Sequence, residues 1–223
     1  MTTTYWEIRL CENSDCGLRF PVELGHPNGP RCPNCLGATK IALSYSAIDE
    51  SERPLKSSYP IPVSGLLDNI RSTWNVGSIF RTSEGFGAGH LYLTGITSTP
   101  DTADLAKTAL GAENTVPWSY HRNAAALAEQ LTQDGYFLWV LETNPRARPV
   151  SHMEQCLDSA IHSKGVILVM GSEKAGVDPG LLEQCHETFF IPMHGIKKSF
   201  NASVAYGIAL GLIRVMGSTE NKK

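Results

Sequence analysis

Apolar positions along the chain fall into two rhythms. Short continuous runs occur at His90–Gly95, Tyr136–Thr143, Gly165–Gly171 and Thr188–Met193. Runs of this length, rich in branched and aromatic residues, predict buried strands. Between them lie segments with apolar residues three and four apart: Val76–Phe86, Thr102–Leu110, Asn123–Gln133, Pro179–Gln184 and Ser203–Met216. These predict helices. Strand and helix alternate, so the pattern predicts an α/β domain with a mainly parallel sheet. Ligands of such sheets gather beyond the carboxyl ends of the strands. The loops after Leu93, Leu141, Met170 and Ile191 are therefore the places to search. The last helix is apolar on nearly every side and needs cover on most of them.

The first 45 residues follow neither rhythm. They are followed by Ser46–Gly65, polar and then broken by prolines, which reads as a linker. The division expected is 1–45 as a small domain, 46–60 as linker, 61–217 as the main domain and 218–223 as a tail.

Composition is that of an ordinary globular protein, with 42% hydrophobic and 18% charged residues among 223. A net charge of −3 gives no global basic signature for nucleic acid, though it leaves room for a local patch. The N-terminus has no signal-peptide pattern, and no apolar run is long enough to span a bilayer, so the expectation is a cytoplasmic protein without a membrane partner. Asn201-Ala202-Ser203 fits a glycosylation sequon, but a cytoplasmic chain would not be glycosylated.

Four of the six cysteines fall in the first 35 residues: Cys11, Cys16, Cys32 and Cys35, spaced C-x4-C and C-x2-C with fifteen residues between the pairs. Each short pair turns two thiolates towards one point, and two such turns complete a tetrahedral sulfur site suited to structural zinc. Pro33, Asn34 and Gly37 supply turn residues, and Tyr5, Trp6 and Phe20 a small core. Four basic residues balance four acidic ones between Met1 and Tyr45, so with zinc bound the segment is net negative and is not an obvious RNA clamp. Cys156 and Cys185 read as small packing residues.

Three polar clusters fall among these elements. Asn69, Arg71, Asn75, Gly77 and Arg81 surround a helix start; Gly171, Glu173 and Gly176 follow a strand; Gly195, Lys197, Lys198, Ser199 and Asn201 lead into the last helix. Taken singly, Asn75 is a helix cap, Arg81 a surface charge, Glu173 a loop residue, and Ser203 a cap or ligand contact. Gly207 and Gly211 permit close helix packing.

Together the clusters resemble the SPOUT superfamily of RNA methyltransferases, in its TrmH/SpoU-like branch. The segments that carry the resemblance are NIRSTWNVGSIFRTSEGFG, VMGSEKAGV and IPMHGIKKSFNASVAYGIAL, in that order, within Ile61–Met216. The resemblance implies a parallel sheet with a deep C-terminal trefoil knot, S-adenosylmethionine as cofactor, a homodimer, and a 2′-O-methylated ribose in tRNA or rRNA as product. It implies that Leu141, Thr143, Gly171, Ile191, Met193 and Phe200 hold the cofactor, and that Asn75, Arg81, Glu173, Ser199 and Asn201 form the catalytic cluster. Phe200 departs from the leucine common at its position. Arg71, Lys197 and Lys198 are candidates for RNA phosphates. Arginine is a poor base, with a pKa above ~12, so electrostatic stabilisation of the hydroxyl is favoured over deprotonation by Arg81. Base methylation and a non-catalytic RNA-binding or assembly role are the alternatives. A zinc ribbon is not general in the family.

Overall fold

The computed structural model describes residues 5–27, 29–46 and 61–218. The chain divides into two compact units, Met1–Ser57 and Ser58–Lys223. The expected linker lies outside the described residues except at Ser46, which ends a strand; the expected tail lies outside them except at Ser218, which ends a helix.

The first unit contains β1 (Tyr5–Cys11), β2 (Arg19–Glu23) and β3 (Thr39–Ser46). They form an antiparallel sheet in the order β2-β1-β3, with a bulge between Ile8 and Arg9. Its buried residues include Glu7, Cys11 and Cys32. Tyr5 is exposed, contrary to its expected place in a small core; Trp6 and Phe20 are half-buried.

The second unit runs β4 (Val63–Asp68), α1 (Thr73–Gly85), β5 (Leu91–Thr94), α2 (Ala103–Ala109), β6 (Trp118–His121), α3 (Ala124–Gln133), β7 (Phe137–Leu141), β8 (Arg148–Pro149), α4 (Glu154–Ile161), β9 (Val166–Met170), α5 (Pro179–Leu182), β10 (Glu187–Phe190) and α6 (Ala202–Ser218). The seven strands pair in parallel in the order β6-β5-β4-β9-β7-β10-β8. The β9 run VILVM is buried at every position, as a central parallel strand requires. Its Leu168 and Met170 face one core with α1, α2, α4 and α6; Ile167 and Val169 face the other with α3 and α5.

The strand β4 begins at Val63, inside the segment that the prolines make look like linker. Two further elements carry weak signals: β6 is a four-residue edge strand, and α4 is a short helix.

Three contacts hold α6 on this frame. Tyr206 is fully buried and bonds Ser83 of α1 at 2.8 Å; it passes so close to Gly65 that a Cβ there would lie 3.0 Å from its hydroxyl. Burial pushes the Tyr206 phenol up to about 12. Gly207 and Gly211 face α1 of the same chain, where an added Cβ would meet Thr82 at 3.5 Å and Phe86 at 3.2 Å. The close packing they permit is thus intrachain. Near the end of α6, buried Arg214 donates to the carbonyls of Ile61 (2.7 Å), Gly87 (2.8 Å) and Phe86 (3.0 Å). Those of Phe86 and Gly87 lie at the C-terminus of α1, where the helix dipole favours a cation.

Candidate active site

The loops after β7, β9 and β10 meet at the carboxyl ends of their strands and enclose a cavity of about 370 Å³. That lies within the ~300–1,000 Å³ usual for small-molecule sites. Leu141, Met170, Phe189, Ile191 and Phe200 give it apolar walls, while Glu142, Glu173, Lys198, Ser199 and Asn201 add polar groups.

Gly171 makes the tight turn out of β9 possible. A Cβ there would sit 2.4 Å from the Val177 nitrogen and 2.5 Å from the Gly176 carbonyl carbon, so only glycine lets these two backbone stretches touch. Ser172 and Gly176 close the loop through paired backbone bonds of 3.0 and 2.9 Å. Glu142 ties this loop to β7: its carboxylate accepts from Val177 N (3.0 Å) and Thr143 N (2.8 Å). Glu142 lies between two residues that sequence reasoning did single out; a charge at a strand's carboxyl end was the available signal.

One hydrogen-bonded chain crosses the polar wall. The Glu173 carboxylate accepts from Asn75 Nδ2 (2.8 Å), Arg71 N (3.0 Å) and Ser72 N (3.2 Å). Asn75 Oδ1 accepts from Asn201 Nδ2 at 2.9 Å. Asn201 Oδ1 then accepts from Ser203 N (2.9 Å), Ser203 Oγ (2.7 Å) and Val204 N (3.4 Å), capping α6. Burial pushes the Glu173 carboxyl upward, but the donors from Arg71, Asn75 and Ser72 outweigh it and hold its pKa below the ordinary value.

These contacts revise two readings. Asn75 does not cap α1; Ser72 does, accepting from Asn75 N at 3.3 Å. Glu173 takes the backbone N–H of Ser72 itself, completing across the fold what a capping box does locally. Likewise Asn201, not Ser203, caps α6. A further anchor was missed. Asp68, buried at the end of β4, accepts from Asn69 Nδ2 (2.7 Å), Thr94 Oγ1 (3.2 Å) and Asp178 N (3.2 Å). Burial raises its pKa, partly offset by these bonds.

The structure brings most of the expected residues to one place. Leu141, Thr143, Gly171, Ile191 and Phe200, with Glu173, Lys198, Ser199 and Asn201, line the cavity; Asn75 joins through its bonds. Met193 does not line it, and neither do Arg71 and Lys197, both exposed. Arg81 lines a separate cavity of about 390 Å³ with Glu84, Leu110, Gly111 and Thr115. Six residues of helix place it about 120° around the axis from Asn75. Among the described residues its side chain makes no hydrogen bond or ion pair. In the first unit, the sulfurs of Cys11, Cys16, Cys32 and Cys35 lie within 4.8 Å of one another. Cys11–Cys35 is 3.4 Å and Cys16–Cys32 is 3.7 Å, and Asn34 Nδ2 points at Cys16 from 3.4 Å. No helix among the described residues is long and apolar enough to cross a membrane.

A sequence model of the SpoU rRNA Methylase family matches residues 63–211. The 23S rRNA (guanosine-2'-O-)-methyltransferase RlmB of Ralstonia nicotianae is 33% identical over 149 residues, covering 67% of this chain and 57% of that protein. RlmB of Vibrio vulnificus is 30% identical over the same length, again covering 57% of the relative. The chain thus spans less than two thirds of these relatives' length. Among solved structures, an AdoMet-bound rRNA methyltransferase from Sinorhizobium meliloti has a TM-score of 0.62 at 25% identity, covering 69% of this chain and 56% of that one. The A. aeolicus TrmH/SpoU tRNA modifying enzyme has the same fold, with a TM-score of 0.62 at 22% identity, covering 71% and 76%.

Proposed function

This chain belongs to the SpoU rRNA methylase family, and we propose that it transfers a methyl group from S-adenosylmethionine to a ribose 2′-hydroxyl of structured RNA, tRNA or rRNA. The observation that carries this reading is the Glu173–Asn75–Asn201 chain on the wall of the three-loop cavity. It sets fixed polar groups beside the apolar walls of a cavity whose loop after β9 is folded tightly on itself at Gly171.

Leu141, Thr143, Gly171, Ile191 and Phe200 would hold the cofactor. Met193, in the loop after β10 but outside the cavity lining, remains a candidate for the same set. When bound, the cofactor supplies an electrophilic methyl group on a sulfonium sulfur. The carboxylates of Glu142 and Glu173 in the wall favour such a cation. Ser199 and Asn201 orient the ribose, and Asn75 and Glu173 keep Asn201 in place. Positioning and fixed dipoles account for most of the expected rate. Lys197, Lys198 and Arg71 engage phosphates.

Arg81 stabilises the hydroxyl as it loses its proton. Because it lies outside its own chain's cavity, the reading includes a homodimer in which the partner copy brings its Arg81 to this site. Val204 and Val215, exposed on α6, offer apolar surface for that contact. The fold reading includes the trefoil knot. It is supported by the path of residues 191–201, which leave β10, line the cavity at Ile191 and again from Lys198 to Asn201, and deliver α6 against α1.

The strands Tyr5–Cys11, Arg19–Glu23 and Thr39–Ser46 belong to a zinc ribbon whose four thiolates, Cys11, Cys16, Cys32 and Cys35, hold the metal. A tetrahedral site with Zn–S near 2.3 Å has sulfur–sulfur edges of about 3.8 Å; the Cys16 and Cys32 sulfurs are 3.7 Å apart, and all four lie within 4.8 Å of one another. A cytoplasmic location suits free thiols and an RNA substrate.

The test is transfer of labelled methyl to total tRNA and rRNA, followed by nucleoside analysis. A 2′-O-methylnucleoside is expected. A methylated base, or no transfer with cofactor bound, overturns the reading.

A further inference from the structure

Of the chain's four tryptophans, Trp139 is fully buried, Trp6 and Trp118 are half-buried, and Trp74 is 59% exposed. Trp74 stands in the first turn of α1, immediately before Asn75. That turn is held firmly. Glu173 binds the backbone N–H groups of Arg71 and Ser72, Ser72 caps the helix, and Thr73 Oγ1 bonds Ser98 Oγ at 2.9 Å. The ring is therefore carried on a fixed backbone rather than a loose loop.

The bond from Thr73 leads to the loop after β5, and this loop carries a second exposed apolar side chain. Ile96 is 67% exposed, its N–H bonded to Asn69 Oδ1 at 3.1 Å. Tyr120 of β6 is also exposed, and its hydroxyl donates to Gly95 O at 2.7 Å. Three large apolar groups thus stand along the carboxyl edge of β4, β5 and β6, next to the polar wall of the cavity. Arg71 and Arg122, both exposed, belong to the same edge. Large apolar side chains gathered on a surface mark an interaction site. Aromatic rings on a rigid support with arginines beside them fit a single-stranded nucleic acid, whose bases stack and whose phosphates take the cations.

We propose that Trp74 is a stacking platform for an unpaired nucleobase adjoining the methylated nucleotide. This rests on the RNA methyltransferase reading. Ile96 and Tyr120 extend the platform, and Arg71 and Arg122 engage the flanking phosphates. A base can stack only if its face is free, so the platform selects loops, bulges or ends and rejects the interior of an A-form duplex. The loop after β5, which does not line the cofactor cavity, thereby acquires its own role in substrate choice.

The test uses the full chain, a short mixed-sequence single-stranded RNA, and the same strand annealed to its complement. Tryptophan emission is expected to be quenched by the single strand and little changed by the duplex. Trp74→Phe should remove most of the quenching while keeping most of the affinity. Trp74→Ala should weaken single-strand binding by roughly five- to a hundredfold, with cofactor binding by calorimetry and oligomeric state by sedimentation unchanged. Wild-type affinity in Trp74→Ala, equal quenching by duplex, or loss of a dimer in Trp74→Ala overturns the proposal; the last would assign the ring to a contact between copies. Quenching that survives without methyl transfer to any RNA would sink the methyltransferase reading instead and leave the platform standing.

Discussion

Asn201 donates its side-chain amide to the side-chain oxygen of Asn75, at 2.9 Å and across 126 positions of sequence. The orientation of both amides follows from one charge. The Glu173 carboxylate can only accept, so Asn75 must turn its NH2 towards it and its oxygen towards Asn201. Asn201 must then present its own oxygen to the first N–H groups of α6. A carboxylate in the loop after β9 thereby sets the polarity of a chain that ends at a helix cap.

Breaking that chain should be costly. Asn75→Asp keeps an acceptor for Asn201 but removes the donor to Glu173 and puts two carboxylates face to face. Methyl transfer should fall at least about a hundredfold, and stability by on the order of 1–3 kcal/mol. Thermal melts and single-turnover assays measure the two effects; near-normal activity would show that the chain is not used in catalysis.

The charge on Glu173 has a pH signature. Its folded pKa lies below its ordinary 4.5, so it contributes stability above that pH, lost as pH falls through the folded value. Asp68 acts oppositely: raised above its ordinary 3.8, it subtracts stability at higher pH, and that penalty vanishes in acid. Urea unfolding of wild type and Glu173→Gln, from neutral pH to about pH 3, should show a stability gap that narrows below pH 4.5. A constant gap would mean that the charge itself contributes nothing.

Gly171→Ala should act on the ligand more than on the fold. Its Cβ would meet backbone atoms at 2.4–2.6 Å, which cannot swing aside as a side chain does. Overpacking of this kind costs about 1–3 kcal/mol, and here the strain falls on the cavity wall. Calorimetry should show cofactor affinity reduced by about tenfold or more; unchanged affinity would remove this loop from the cofactor site.

The position of Arg81 outside the cavity makes a mixing experiment decisive. Arg81→Ala and Asn201→Ala should each be nearly inactive alone. Unfolded and refolded together, they should recover about a quarter of wild-type activity, because half the dimers then contain one intact composite site. No recovery means that each chain builds its site alone.

The ribbon should depend on metal. Purified protein should carry a single zinc per chain by elemental analysis, and Cys32→Ser or a strong chelator should release it and unfold the first unit. Melting of the second unit should be unaffected. A metal-free, folded first unit would refute the zinc site.

Much of this was legible in advance, for definite reasons. Strands such as Val166–Met170 announce themselves because a central parallel strand is apolar throughout. Their carboxyl ends then locate three of the cavity's walls, after Leu141, Met170 and Ile191. The strand Val63–Asp68 was partly hidden by the prolines before it, and Trp118–His121 by its short, mixed edge pattern. What no local pattern carries is pairing at long range. That Ser72 caps α1 while Asn75 turns away to Glu173, or that Arg81 shares a cavity with Leu110 and Gly111, depends on which face of α1 meets which neighbour. Glycine spacing on α6 signalled close packing without naming α1 as the partner.

The fastening of α6 by Arg214 carries a consequence for the order of events in the cell. Its carbonyl partner Ile61 stands at the entrance to the second unit, 153 positions earlier. Closing so long a loop costs chain entropy before the contact repays it. During synthesis the loops bearing Glu142 and Glu173 emerge before Asn201 and the helix that it caps. A nascent chain therefore lacks the final wall of its pocket, and the cavity is complete only once α6 has docked.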